Sequence, residues 1–333
     1  MLIIGIEGAR LQPHERDQLR HPAVAGVILF ARNILDREQS QTLIQDIRAS
    51  RDLPLLVCVD QEGGPVQRFR DGFAPLPALS GIGRLYDREP ERALALAAEH
   101  AWLMAAPMRA IGVDISFAPV LDLARGNLAI GERAFHADPQ ACATLGIAYL
   151  RAMQAAGMRA TGKHFPGHGS VQADSHHSEV IDRRPLAAIA EADIVPFAAA
   201  IATGVDALMM AHVVYPAVDE LPAGYSERWI RHILRDELGF DGIIVSDDIA
   251  MVAAEGAGAV GRRVQLHLEA GCDVVLVCKP DQVDQALEAV PWDQLEQSRD
   301  RLLTLAGTPG PDWAQLQALP RYRDAIAALA DLA

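Results

Sequence analysis

What the chain lacks narrows it first. No stretch approaches the roughly 18 consecutive apolar residues that a membrane span needs. The first apolar run, Leu2 to Ile6, stops at Glu7 and is too short for the core of a secretory signal. A cytoplasmic location is the expectation. The four cysteines, Cys58, Cys142, Cys272 and Cys278, form no Cys-x-x-Cys pair, and two of them lie inside apolar runs. Reduced, buried thiols are therefore expected rather than disulfides. Basic residues are in deficit, 30 Lys and Arg against 44 Asp and Glu, for a net charge of -14. That balance disfavours nucleic acid or an anionic membrane as the main partner and leaves a small molecule as the expected one. Repeats, low-complexity tracts and linkers are also missing. The 333 residues, half of them apolar, read as one domain with a large core.

Eight apolar runs of strand length are present, at 2–6, 26–30, 55–59, 115–121, 160–164, 207–211, 242–246 and 274–278. Helical spacing falls between most of them, at about 37–51, 89–111, 139–156, 185–203, 226–238 and 260–270. Strands apolar throughout, alternating with helices, predict a parallel sheet covered by helices, and eight of them predict closure into a (β/α)8 barrel. Such a barrel takes roughly 250 residues. The surplus falls in the Gly- and Pro-rich 60–90 segment, in 126–138, in the loop after the fifth strand, and in C-terminal helices over about 291–333. The barrel itself ends near 290.

The densest chemistry lies in that fifth loop. Lys163-His-Phe-Pro-Gly-His-Gly-Ser-Val-Gln-Ala-Asp-Ser-His176 is followed by His177, so four of the chain's eleven histidines fall within fifteen positions. Imidazole exchanges protons near neutral pH, and Gly167 and Gly169 let the backbone turn between the groups. Lys163 and His164 are expected at a strand tip, with Asp174 and His176 on the aperiodic segment beyond. Asp60, His212, Asp247 and Asp248 likewise follow strands. In a barrel of this class those exits converge on one rim, where the active site is expected.

Asp247 leaves an apolar strand at that rim, where a carboxylate costs desolvation unless paired or used. One of Asp247 and Asp248 is free to cap the following segment, and Asp248 is the choice for that role. Strand-tip carboxylates beside arginines suggest a glycosidase, which needs a nucleophile or base and a general acid on opposite sides of the scissile bond. No second carboxylic acid is evident. Asp174 can instead orient His176, favour its protonated form and leave it as acid in one step and base in the next. A plain structural Asp-His contact stays open beside this reading. So does a bracing role for Arg68 and Arg133.

These strings resemble glycoside hydrolase family 3, specifically its bacterial β-N-acetylglucosaminidases of cell-wall recycling. The resemblance is carried by Gly26-Val-Ile-Leu-Phe30, Val59-Asp-Gln-Glu-Gly-Gly64, Val66-Gln-Arg68, Ser116-Phe-Ala-Pro-Val-Leu-Asp122, Gly131-Glu-Arg133, Lys163-His-Phe-Pro-Gly-His-Gly169, Asp174-Ser-His176 and Ser246-Asp-Asp248. It implies Asp247 as nucleophile of a covalent glycosyl-enzyme and His176, assisted by Asp174, as acid/base. Asp60, Arg68, Arg133, Lys163 and His164 would bind the N-acetylglucosamine ring. The implied substrate is N-acetylglucosaminyl-1,6-anhydro-N-acetylmuramic acid carrying a peptide, with no metal or organic cofactor. Oligomeric state is left open, with a monomer favoured. Glu62 is expected to hold its loop, and His168 and His212 to support the site residues or the structure rather than to act in catalysis.

Pro65 stands where the family pattern has a polar or basic residue, so the pose of Arg68 is the detail it leaves least defined. The 253–260 segment also matches poorly. Three other readings stay open on the residues alone. One is a metal-dependent hydrolase using His164, His168, His176, His212 and Asp247 as ligands. The others are transfer of the sugar to phosphate, and a sugar-binding protein without turnover.

Overall fold

The computed structural model of the protein describes residues 1–171, 180–291 and 295–332. Eight parallel strands close into a barrel. They are β1 (Leu2–Gly5), β2 (Val24–Leu29), β3 (Leu56–Val59), β4 (Ile115–Ser116), β5 (Arg159–Phe165), β6 (Ala207–Met210), β7 (Ile243–Asp248) and β8 (Val274–Val277). Each strand pairs with its sequence neighbours, and β8 returns to β1 with Leu2 opposite Val275 and Ile4 opposite Val277. Closure leaves the barrel sheet no free edge, and nearly every strand residue is buried, as runs apolar throughout require.

The fourth strand is shorter than the sequence predicts. Only Ile115 and Ser116 pair regularly; beyond them Pro119 brings no N–H, and contact with β5 continues through the isolated Val120–Lys163 bridge. Leu121 N–H still donates to Lys163 O at 2.7 Å, so the chain stays beside β5 as far as Asp122.

The helices fit the spacing closely in several cases: Arg37–Arg48, Pro90–Ile111, Pro139–Ala155 and Val260–Ala270. Asp36 and Asp138 cap the first and third by accepting the N–H of Gln39 and Ala141. Gly112 and Gly271 end the second and fourth in the left-handed region. The 185–203 helix is broken into Leu186–Ala190 and Val195–Thr203, with Asp193 in the gap. Two features go beyond expectation within 60–90: a short hairpin, Gln61–Gly63 with Val66–Gln67, and a helix, Leu79–Tyr86. A small sheet of Val180–Ile181, Val213–Tyr215 and Asp219–Pro222 lies in the chain after β5 and β6. The C-terminal helices Trp313–Ala318 and Pro320–Leu329 pack on Pro90–Ile111. Among the described residues no helix is long and apolar enough to cross a membrane. All four cysteines are free and buried.

Candidate active site

The C-terminal ends of the strands open into a cavity of about 790 Å³. Asp60 after β3, Lys163 and His164 on β5, and Asp247 on β7 all line it, joined by Arg68 after the hairpin and Arg133 from the loop after β4. Residues up to 187 positions apart in the chain, from Asp60 to Asp247, therefore share one space. Asp174 and His176 lie in 172–179, outside the described residues.

Lys163 is the hub. Its ammonium, almost fully buried, sits 2.8 Å from Asp60 Oδ1 and 2.6 Å from Glu62 Oε1. Glu62 also accepts two parallel bonds from Arg133, at 2.8 Å to Nε and 2.9 Å to Nη2. Burial alone would push the Glu62 carboxyl up, but Lys163 and Arg133 outweigh it and hold the group near 2. For Lys163 burial pulls the other way and is again outweighed, here by Asp60 and Glu62, so the ammonium stays charged. Glu62 thus ties the loop carrying Arg133 to β5.

His164 is fixed from behind. Its Nδ1 lies 2.7 Å from Asp122 Oδ2, and a carboxylate there makes Nδ1 the protonated nitrogen. The same carboxylate accepts the backbone N–H of His164 and, at 2.6 Å, that of His168. Burial works to raise the pKa of Asp122, while His164 and the bonds it receives draw it below the usual carboxylate range. The role of Asp122 was missed in the sequence, although it closes an apolar run at a strand exit just as Asp60 does. His168, its pKa lowered by burial, bonds Asn127 at 3.0 Å and braces two loops against each other, which is a structural use.

On β7 the adjacent acids divide. Asp248 Oδ1 accepts the N–H of Ala250 at 3.0 Å and of Cys278 at 3.3 Å, so Asp248 does cap the turn. Both acids line the cavity, and Asp247 Oδ1 accepts the N–H of Asp248 at 2.8 Å. Ser246 steadies this end of the strand by donating to Asp247 O and accepting from Leu276 N–H. Buried His212 donates Nε2–H to Asp248 O at 3.2 Å, and burial lowers its pKa; it is structural as well.

Arg68 differs from Arg133. Its backbone N–H is held by Gln61 Oε1 at 2.8 Å across the hairpin, so Pro65 at the tip does not leave this segment loose. Its guanidinium lies over the Phe30 ring at 5.9 Å, and buried Nε has no hydrogen-bond partner among the described residues. A cation with spare donors in a polar cavity can take oxygen atoms of a ligand. Among the described residues, the metal-type cluster is Glu7, His14 and Glu15, none of which lines the cavity, and His164, His168, His212 and Asp247 do not form one. Both oxygens of Glu15 already accept backbone N–H groups.

A closed parallel barrel with a strand-end carboxylate, a buried cation between two acids and an available guanidinium at one rim has the form of a (β/α)8-barrel glycoside hydrolase. The family model described as the N-terminal domain of glycosyl hydrolase family 3 matches residues 3–305, and the chain belongs to that family. A β-hexosaminidase of Stenotrophomonas maltophilia (strain R551-3) is 56% identical over 324 residues, covering 97% of this chain and 96% of that protein. One from Xanthomonas oryzae pv. oryzae (strain KACC10331 / KXO85) is 54% identical over 318 residues, covering 96% and 95%. Among solved structures, native NagZ from Neisseria gonorrhoeae superposes with a TM-score of 0.93 at 40% identity, covering 100% of this chain and 97% of the other.

Proposed function

We propose that the protein is a retaining exo-β-N-acetylglucosaminidase. It removes terminal N-acetylglucosamine from 1,6-anhydro-muropeptides in cytoplasmic cell-wall recycling. One observation carries the reading: the carboxylate of Asp247 shares a cavity with the Asp60–Lys163–Glu62–Arg133 network and with Arg68, whose buried Nε has no partner among the described residues. Acids and cations so placed offer directional acceptors and donors to several hydroxyl and amide groups of one sugar ring. The names of the β-hexosaminidase relatives and the family membership support the same substrate class.

In this reading the sugar lies against Asp60, Arg68, Arg133, Lys163 and His164. Asp247 attacks the anomeric carbon while protonated His176, assisted by Asp174, gives its proton to the departing oxygen. A glycosyl ester to Asp247 results. Neutral His176 then takes a proton from water, the water oxygen bonds to the anomeric carbon, and Asp247 leaves as carboxylate. Inverting the centre twice retains its configuration.

Hydrolysis of aryl N-acetyl-β-glucosaminides by wild type, Asp247→Asn and His176→Ala tests this. Asp247→Asn is expected to lose activity by about 1,000-fold or more, since the amide is a poor nucleophile. For His176→Ala the deficit should shrink as the leaving group improves, because a good leaving group needs no proton. An Asp247→Asn enzyme as fast as wild type removes the proposed nucleophile.

A further inference from the structure

The side chains lining the cavity differ sharply in exposure. Among the described residues Lys163, His164, Ile28, Met209 and Leu276 are buried, whereas the exposed ones are Pro65, Leu128, Gly131 and Glu132. Exposure marks the mouth. If the reacting sugar lies against the buried polar groups with its anomeric carbon at Asp247, the group it is bonded to extends outward past these residues. Pro65 and Leu128 are the two among them with apolar side chains.

Leu128 is the notable one, at 81% exposed the barest large hydrophobic side chain among the described residues. Isolated surface leucines are common, but this one lines the cavity and its backbone is held there. Asn127 Oδ1 accepts the N–H of both Ala129 and Ile130, at 2.8 and 2.9 Å, and Arg133 Nη1 donates to Ala129 O at 3.0 Å. The backbone just after Leu128 is thus tied to the same arginine that Glu62 fixes. Leu128 is presented to solvent on a hydrogen-bonded turn, with its apolar surface uncovered.

We infer that Leu128, with Pro65 beside the cavity mouth, forms an apolar subsite for the departing half of the substrate and sets a preference for aglycones with a nonpolar face. This rests on the glycosidase reading above and deepens it. Covering the leucine is favourable only when the aglycone is large enough to reach it, so its effect discriminates between leaving groups.

The test compares wild type, Leu128→Ala and Leu128→Met on two N-acetyl-β-glucosaminides, one with the flat, broad 4-methylumbelliferyl aglycone and one with small trifluoroethyl. Each variant is compared with wild type on the same substrate, so differences in leaving-group acidity cancel. Leu128→Ala is expected to lower kcat/KM about five- to tenfold on the broad aglycone and to leave the small one within about twofold, with Leu128→Met near wild type on both. Inhibition by free N-acetylglucosamine should be unchanged in all three. An equal loss on both substrates, or none on either, overturns the subsite. Wild type that cleaves neither substrate overturns the glycosidase reading and the subsite with it. Because Leu128 is exposed, its truncation leaves the core intact.

Discussion

Glu62 shows how a residue that touches no reacting atom can decide whether the site exists. It holds Lys163 and Arg133 together out of water, and both cations hold its carboxyl near 2 instead of its ordinary 4.5. A depressed carboxyl stabilises the fold above its unfolded value and ceases to do so as pH falls through the folded one. The stability it contributes, on the order of 3 kcal/mol, is therefore fully present at neutral pH and lost between about pH 5 and 2. Glu62→Gln removes that dependence and leaves Lys163 with Asp60 alone, so urea unfolding at pH 7 should show a loss of about 2–4 kcal/mol. The difference from wild type should shrink as the pH falls towards 3. A difference independent of pH would mean that the carboxylate is not the source of the effect. Arg133 follows from the same pair. The sequence places it near the sugar, and the structure adds that both arms of its fork are already engaged by Glu62, which leaves Arg68 the more available cation.

The Lys163–Gly169 segment is shaped by close backbone contacts as much as by turning. Gly167 has a φ of 134°, and a Cβ there would lie 2.6 Å from that of Asp193. Gly169 has no such φ; its need is space, since a Cβ would meet Leu123 O at 1.9 Å. Gly169→Ala must push this segment off the β4 exit, with about 1–3 kcal/mol of lost stability and roughly 100-fold lower kcat/KM. Gly8→Ala, where the added carbon meets nothing within 4 Å, is the control expected to match wild type. Equal melting temperatures and rates for the two variants would show that the Leu123 contact constrains nothing. The sequence disclosed the barrel because its strands are apolar on both faces, a pattern that survives single-residue boundary errors. It hid the hairpin, whose two- and three-residue strands carry buried Gln61, Glu62 and Gln67 that read as loop. It hid the Leu79–Tyr86 helix behind Gly81 and Gly83, although Gly83 is there because Phe135 O would lie 1.6 Å from a Cβ. The break in the 185–203 helix had one signal, Pro196, which stands in the first turn of the second helix and which the predicted helix runs through. Asp193 leaves the helical path to accept from Ser170 Oγ at 2.5 Å and to pair with Arg184 at 2.7 Å, and both partners are distant from it in any local pattern.

Closure of the eight strands puts a floor of buried strand residues under the cavity. Its inner wall is made of strand residues Ile28, Met209 and Leu276, each at most 3% exposed, with the packed barrel core behind them. In the proposed pose, with the anomeric carbon at Asp247 and the hydroxyls among Lys163, Asp60 and His164, a substituent on the far side of the sugar would run into these buried strand residues. Any further residues of a substrate must hang from the anomeric oxygen and leave through the mouth, past Pro65 and Leu128. Architecture, rather than any single contact, thus dictates action at a chain end. A reducing-end-labelled trimer of β-1,4-linked N-acetylglucosamine should lose one sugar at a time from the unlabelled end. The same trimer blocked by a methyl ether on the terminal O4 should react slower by about 100-fold or more, because a group with no room must either distort the site or abandon it. Product sizes followed by mass spectrometry check this directly. Release of an internal fragment, or equal rates for blocked and unblocked trimers, would mean that the barrel is open where its buried strand residues close it.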